Sequence, residues 1–255
     1  MAAPVMQEAE ELPIQKLDLS HLVTEDEAPV DDLFSERQMR LLVDSLYASW
    51  RGPGEGRPFV AMANVGLFYH LREPALVPDV LLSLDVALPE EPWEKEHRSY
   101  FVWECVKPPD VVIEIVSNKE GKELSDKLLD YARIGVAYYV VYEPKKLIGE
   151  RPLRVFARQG LRYTELDAPW LDQVGLGLTL WEGEYEGMRQ VWLRWCDADG
   201  NLLLTGQEAA AEKERQLLAE RARAEQERQR AELAEQRAAA LAAKLAALGI
   251  DPEAE

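Results

Sequence analysis

The sequence predicts an α/β fold built on a mixed sheet, in the order α-β-β-β-α-β, followed by a C-terminal β-hairpin and a long α-helix. Three observations predict it. A helical apolar stripe precedes three short strand-like runs, a second helix with a glycine stop leads at once into another such run, and heptad-spaced small apolar residues fill the last fifth of the chain.

Residues 1–30 read as a loosely held acidic segment broken by Pro4, Pro13 and Pro29, after which Asp31 or Asp32 is placed to cap a helix. Leu33, Phe34, Leu41, Leu42 and Leu46 give that helix its stripe as far as Trp50, and Arg51–Pro58 breaks it. Phe59–Tyr69, Leu76–Val86 and Val111–Val116 read as strands. A helix from about Glu123 to Ile134 stops at Gly135, and the strand Val136–Tyr142 ends before Pro144. Arg154–Leu166 and Gln190–Leu204 read as further strands or hairpins, the second turning at Asp199 and Gly200.

The tail begins at a capping box, Thr205 with Glu208, and stops at Gly249 and Pro252. Leu217, Ala224, Ala231, Ala238 and Leu245 recur every seven residues, with Ala234, Leu241 and Leu248 three places on. This helix, 205–249, has two readings: a homo-oligomeric coiled coil, or a helix lying alone or against its own domain. The chain thus divides into an acidic segment at 1–30, a principal domain at 31–204 and the heptad helix.

Composition narrows the function. With 255 residues, 47% of them hydrophobic, the chain can bury a substantial core, and a net charge of −18 excludes broad, non-specific adhesion to nucleic acid or anionic membrane. Residues 119–162 run the other way, with ten Lys or Arg against six Asp or Glu, so a local basic face is expected. Lys119, Lys122 and Arg133 are its candidate phosphate contacts. Two isolated cysteines, no signal-like start and no membrane-length apolar run lead to the expectation of a cytoplasmic protein without a membrane partner.

The chemistry centres on Glu114, a carboxylate inside the β-branched run Val111–Val116. Burial there demands compensation, either from an ion pair or from a role as metal ligand or acid–base group. Asp110 lies ~13 Å away along the same strand face, whereas Asp79 opens a different strand, and neighbouring strands run ~4.8 Å apart. Asp79 is therefore the better partner. Leu124, Lys127, Leu128 and Tyr131 follow i, i+3, i+4, i+7, which puts Lys127 on the sheet-facing stripe. Two carboxylates with an inward lysine suit phosphodiester hydrolysis assisted by Mg²⁺ or Mn²⁺. His21, His70 and His97 are scattered, and no phosphate-binding glycine loop is present.

Pro78-Asp79, the run Pro109–Ser117, Asp126-Lys127 and Tyr131–Val136 through Tyr138 to Pro144 resemble the Uma-type putative restriction endonuclease family. That family, also called domain of unknown function 820, is placed in the PD-(D/E)XK nuclease superfamily. The resemblance spans roughly 30–250 and implies a restriction-endonuclease-like core. It implies Asp79 and Glu114 as metal ligands, with the Ile115 carbonyl as a third, and Lys127 as the catalytic lysine. The superfamily pattern expects lysine two residues after the glutamate, where this chain has Val116. Glu36 and Ser117 are additional candidates. The expectation is a metal-dependent endonuclease acting on DNA, and the rival is a catalytically inactive oligomeric scaffold or nucleic-acid binder on the same fold.

Overall fold

The structure is a computed structural model that describes residues 32–54, 56–87, 91, 93–117 and 124–247. The acidic segment 1–30 and the expected stop at Gly249 and Pro252 lie outside the described residues.

Helix α1 spans Leu33–Ser49, and the Asp32 carboxylate caps it by accepting the Ser35 N–H at 2.8 Å. Strands β1 (Phe59–Ala63), β2 (Leu67–Phe68), β3 (Val80–Leu84), β4 (Tyr100–Phe101) and β5 (Val111–Ile115) follow. Next come α2 (Asp126–Ile134), β6 (Tyr138–Tyr142), β7 (Leu153–Gln159), β8 (Arg162–Glu165), β9 (Trp170–Leu171), β10 (Leu176–Tyr185), β11 (Met188–Cys196) and α3 (Gly206–Ala247). Six strands form one mixed sheet in the order β1-β3-β5-β6-β7-β8, in which β5 and β6 are parallel and the other neighbours antiparallel. The expected restriction-endonuclease-like α/β core is present, with its hairpin and long helix.

Alternation along the strands sorts two cores. Val111, Ile113 and Ile115 join Tyr138, Val140 and Tyr142 on one face, under α1 and the β10–β11 hairpin. Val112 and Val116 join Tyr139, Val141 and Tyr131 on the other, under α2. Strands β5 and β6 are buried at all five positions, as central strands covered on both faces must be. Each such Val or Ile contributes about 1.5–3 kcal/mol by leaving water. Gln38 ties α1 to β11 by pairing both its amide groups with the backbone of Leu193, at 2.8 and 2.9 Å.

Two expectations are corrected. The run Phe59–Tyr69 is two strands, because Asn64 takes a left-handed φ of 54° and ends the first. The hairpin turns at Glu186-Gly187, both at positive φ, and pairs β10 with β11 over nine residue pairs from Gly177↔Cys196 to Tyr185↔Met188. Asp199-Gly200 does turn the chain, but it closes only an isolated bridge, Cys196↔Leu202. There the Asp197 carboxylate accepts the N–H groups of Asp199 and Asn201, an Asx turn.

The root of α3 is built as its sequence requires. Glu208 N–H donates to Thr205 Oγ1 at 3.2 Å, and Thr205 N–H donates to the Glu208 carboxylate at 2.8 Å. The same carboxylate receives both terminal nitrogens of Arg194, a side chain only 2% exposed. Beyond this root the helix is exposed along almost its whole length.

Candidate catalytic site

Glu114 is the fourth residue of β5 and projects from the face covered by α2. It is 3% exposed, yet each oxygen has a partner: Lys127 Nζ donates to Oε2 at 2.8 Å and Tyr131 Oη donates to Oε1 at 2.7 Å. The helix makes this possible. Lys127 and Tyr131 are four residues apart, hence one above the other on the same side of α2, and the apolar residues Leu124 and Leu128 press that side onto the sheet. Gly135 ends the helix in a left-handed conformation, φ 103°, which turns the chain into β6 beside β5. Burial pushes the Tyr131 hydroxyl well above its ordinary pKa, and the neighbouring Glu114 carboxylate adds to this. Tyr131 therefore remains a proton donor to Glu114 at neutral pH.

Asp79 arrives from the other side. The antiparallel register pairs Val80 with Ile113, and one step further it sets Asp79 opposite Glu114. The Asp79 carboxylate accepts the backbone N–H of Ile115 at 2.6 Å, which fixes it against the strand that carries Glu114. Asp79, Glu114, Ile115 and Lys127 are thus gathered at one edge of the sheet. Asp110 is elsewhere: its carboxylate accepts from Leu84 N–H at 2.7 Å and from Lys107 Nζ, at the entry to β5.

The remaining candidates are not drawn into this group. Glu36 stands in the first turn of α1, on the opposite sheet face, and its carboxylate is held by Arg40 at 2.5 to 2.6 Å. The position argued for an added metal ligand is therefore filled by a surface ion pair, since α1 and α2 cover different faces. Ser117 is half-buried two residues beyond β5. Arg133 is largely exposed on α2 and lies 3.6 Å from Asp130. Lys119 and Lys122 lie outside the described residues.

Two residues of this region were not singled out from the sequence. Tyr131 is one: the sequence places it on the sheet-facing stripe with Lys127 but gives it no part in the site. Glu143 is the other. It is buried just past β6, on the Glu114 face, with Ile148 N–H donating to Oε2 at 2.7 Å and no partner for Oε1 among the described residues. Pro144 marks a loop there, which hid the acid from a strand-based reading.

Among the described residues no group of three or more His, Cys, Asp or Glu side chains is gathered for a metal. Two carboxylates with a backbone carbonyl nevertheless fit Mg²⁺, a hard ion that keeps several waters and takes only one or two protein carboxylates. All the oxygens offered here are of that hard type.

A family model, Uma2, described as putative restriction endonuclease, matches residues 8–180 of the chain's 255. The chain belongs to the Uma2 family. Asp79, Glu114 and Lys127 all fall inside the match, which ends within β10. The sequence resemblance was drawn as far as about residue 250, whereas the Uma2 match takes in neither β11 nor α3. Membership in Uma2 points to a nuclease. No curated protein matches the chain. Among the described residues no helix is long and apolar enough to cross a membrane.

Proposed function

We propose that this Uma2 protein is a divalent-metal-dependent endonuclease that hydrolyses DNA phosphodiester bonds. The observation that carries the reading is the buried pair of Glu114 and Lys127, 2.8 Å apart, beside a second carboxylate anchored on the next residue of the same strand. A purely structural ion pair has no need of Asp79 across the register. In this reading Asp79, Glu114 and the Ile115 carbonyl hold Mg²⁺ or Mn²⁺, which supplies charge neutralisation at the phosphate and a more acidic water. Lys127 is an ammonium with up to three N–H donors, and one of them orients the attacking water. Tyr131 keeps the Glu114 carboxylate turned toward the sheet edge and excludes water from behind it.

Arg133 on α2, with Lys119 and Lys122 of the basic stretch of the sequence, are the proposed phosphate contacts. The exposed heptad helix supports homo-oligomeric assembly through α3 as a companion reading. Exposed Leu217 and Leu241 lie on the heptad positions of the seam, with Leu218 and Leu233 also exposed on the same helix. If the chain is instead an inactive scaffold, assembly remains and cleavage does not.

The test is a plasmid-nicking assay in Mg²⁺ and in Mn²⁺ with wild type, Glu114→Ala and Lys127→Ala. Wild type is expected to nick, and each variant to lose at least about a hundredfold in rate. Equal nicking by all three would remove the proposal and leave the scaffold.

A further inference from the structure

A cavity of about 380 Å³ is lined by Tyr69, His70, Leu71, Arg72 and Trp103, next to Leu67 and Tyr100, which pack into the core under α2. It is built on the two-stranded parallel sheet of β2 and β4, whose Phe68 and Phe101 rings stack at 4.8 Å, with Trp103 packed on Phe101 at 5.2 Å. The Tyr69 and Trp103 rings line the cavity above this buried aromatic base. The rim supplies donors. Arg72 N–H donates to His70 Nδ1 at 3.2 Å, so in the neutral ring the proton sits on Nε2. The Trp103 indole N–H is itself buried, so what Trp103 offers the cavity is its ring.

Its place in the fold connects it to the candidate catalytic site. The chain runs from Tyr69 through Arg72 and the Leu67↔Leu76 bridge directly into Pro78-Asp79. Burial pushes the Tyr69 hydroxyl above its ordinary range, the charges of Glu73 and of Asp130 on α2 add to this, and Arg133 opposes it. Asp130 is three residues from Lys127, about 4.5 Å of helix rise. Seven residues of chain, from Arg72 to Asp79, join the cavity to the carboxylates.

We propose that the cavity of Tyr69, Arg72 and Trp103 is a stacking subsite for an unpaired nucleobase next to the phosphate bound at the Asp79–Glu114 edge. A planar heterocycle matches the Tyr69 and Trp103 rings, and ring nitrogens and carbonyl oxygens match the His70 Nε2–H donor. Arg72 matches the adjoining phosphate. A pocket for an aliphatic side chain has no use for those donors, and the volume lies at the small end of the range for ligand sites, as a single base requires. The inference rests on the nuclease reading for the source of the base, but its test does not use cleavage.

The probe is deoxyadenosine monophosphate, with deoxyribose 5-phosphate as the base-free control, followed through the tryptophan indole N–H resonances of the full chain by NMR. The chain has seven tryptophans, and the Trp103 signal is assigned by its loss in Trp103→Phe. Deoxyadenosine monophosphate is expected to shift the Trp103 signal saturably while deoxyribose 5-phosphate does not. Tyr69→Ala is expected to weaken the effect by about fivefold or more, with the other tryptophan signals unmoved as evidence of folding. A Trp103 signal that stays in place, that moves equally with the base-free control, or that responds unchanged in Tyr69→Ala would overturn the subsite. Nicking that is absent, or indifferent to Glu114→Ala, overturns the nuclease reading alone.

Discussion

Lys127 reaches Glu114 across thirteen residues of sequence, from the first turn of a helix to the penultimate residue of a buried strand, at 2.8 Å. Glu114 is 3% exposed and Lys127 33%, so the two ends of the bond sit in different surroundings. The carboxylate is the costly partner, and the lysine brings its charge from the solvent edge.

Removing the lysine leaves that carboxylate with one fewer compensating donor. Lys127→Ala is expected to lower unfolding free energy by about 1–3 kcal/mol, less than for a fully buried pair because Lys127 is partly solvated. Lys127→Met with Glu114→Gln is expected to recover most of this while remaining inactive in nicking. Urea titrations of wild type and the two variants check the ranking, and a double variant as unstable as the single one would contradict it.

The Tyr131 hydroxyl is expected to act by orientation. Tyr131→Phe removes one hydrogen bond to a charged group, a loss of about 1.5–3 kcal/mol. Because the ring still fills its place against Tyr139, 5.1 Å away, the fold is kept. Nicking rate is expected to fall while DNA affinity in Ca²⁺ is unchanged, which gel shift and cleavage assays together can check.

Gly135 offers a backbone test. A Cβ there would lie 3.4 Å from Pro108 Cγ, at a φ of 103° that other residues rarely adopt. Gly135→Ala is expected to cost about 1–3 kcal/mol by thermal or urea unfolding. A neutral result would mean that α2 does not depend on this stop.

Acid should loosen the root of α3. Burial pushes the Glu208 carboxyl up, but the Arg194 guanidinium and the Thr205 N–H outweigh it and hold the group below its usual range. A depressed folded pKa stabilises the protein above the ordinary carboxylate value of about 4.3 and loses that contribution as pH falls through the folded value. Unfolding free energy measured from pH 6 downward is expected to drop with a smaller slope in Glu208→Gln. Parallel curves would discard Glu208 as a contributor.

Assembly through α3 is best tested by a truncation that spares this root. Deleting everything after Glu214 keeps Glu208 for Arg194, whereas cutting at Thr205 strips a nearly inaccessible guanidinium of its partner. The shorter protein is expected to fold and to show fewer protomers per particle in light scattering. An unchanged number of protomers would end the coiled-coil proposal.

Much of this was legible in the chain because local signals and fold agree. Asp32, the stripe of α1 and Gly135 mark helix ends by elementary capping chemistry, and the β-branched run around Glu114 left one place for a carboxylate to be conspicuous. Strand spacing alone pointed to Asp79 as the strand neighbour of Glu114, whereas the hydrogen bond from the Ile115 N–H to the Asp79 carboxylate gave no signal in the chain. What stayed hidden depends on backbone angles and on partners remote in sequence. Asn64 splits an unbroken apolar run with one positive φ, and the turn at Glu186-Gly187 is flanked by charged residues that mask the strands. Glu36 suggested a ligand only while the face covered by α1 was unknown, and Glu143 gave no periodic signal.

The Arg194–Glu208 clamp has a mechanical consequence. A helix of 42 residues extends about 63 Å, so a tilt of about 10° at Thr205 would carry its tip about 11 Å sideways. Whatever the far end meets, the accuracy of its aim is decided at the near end, by the Arg194 guanidinium on Glu208 and by the Asp44 carboxylate, which accepts the Gly206 N–H at 3.0 Å.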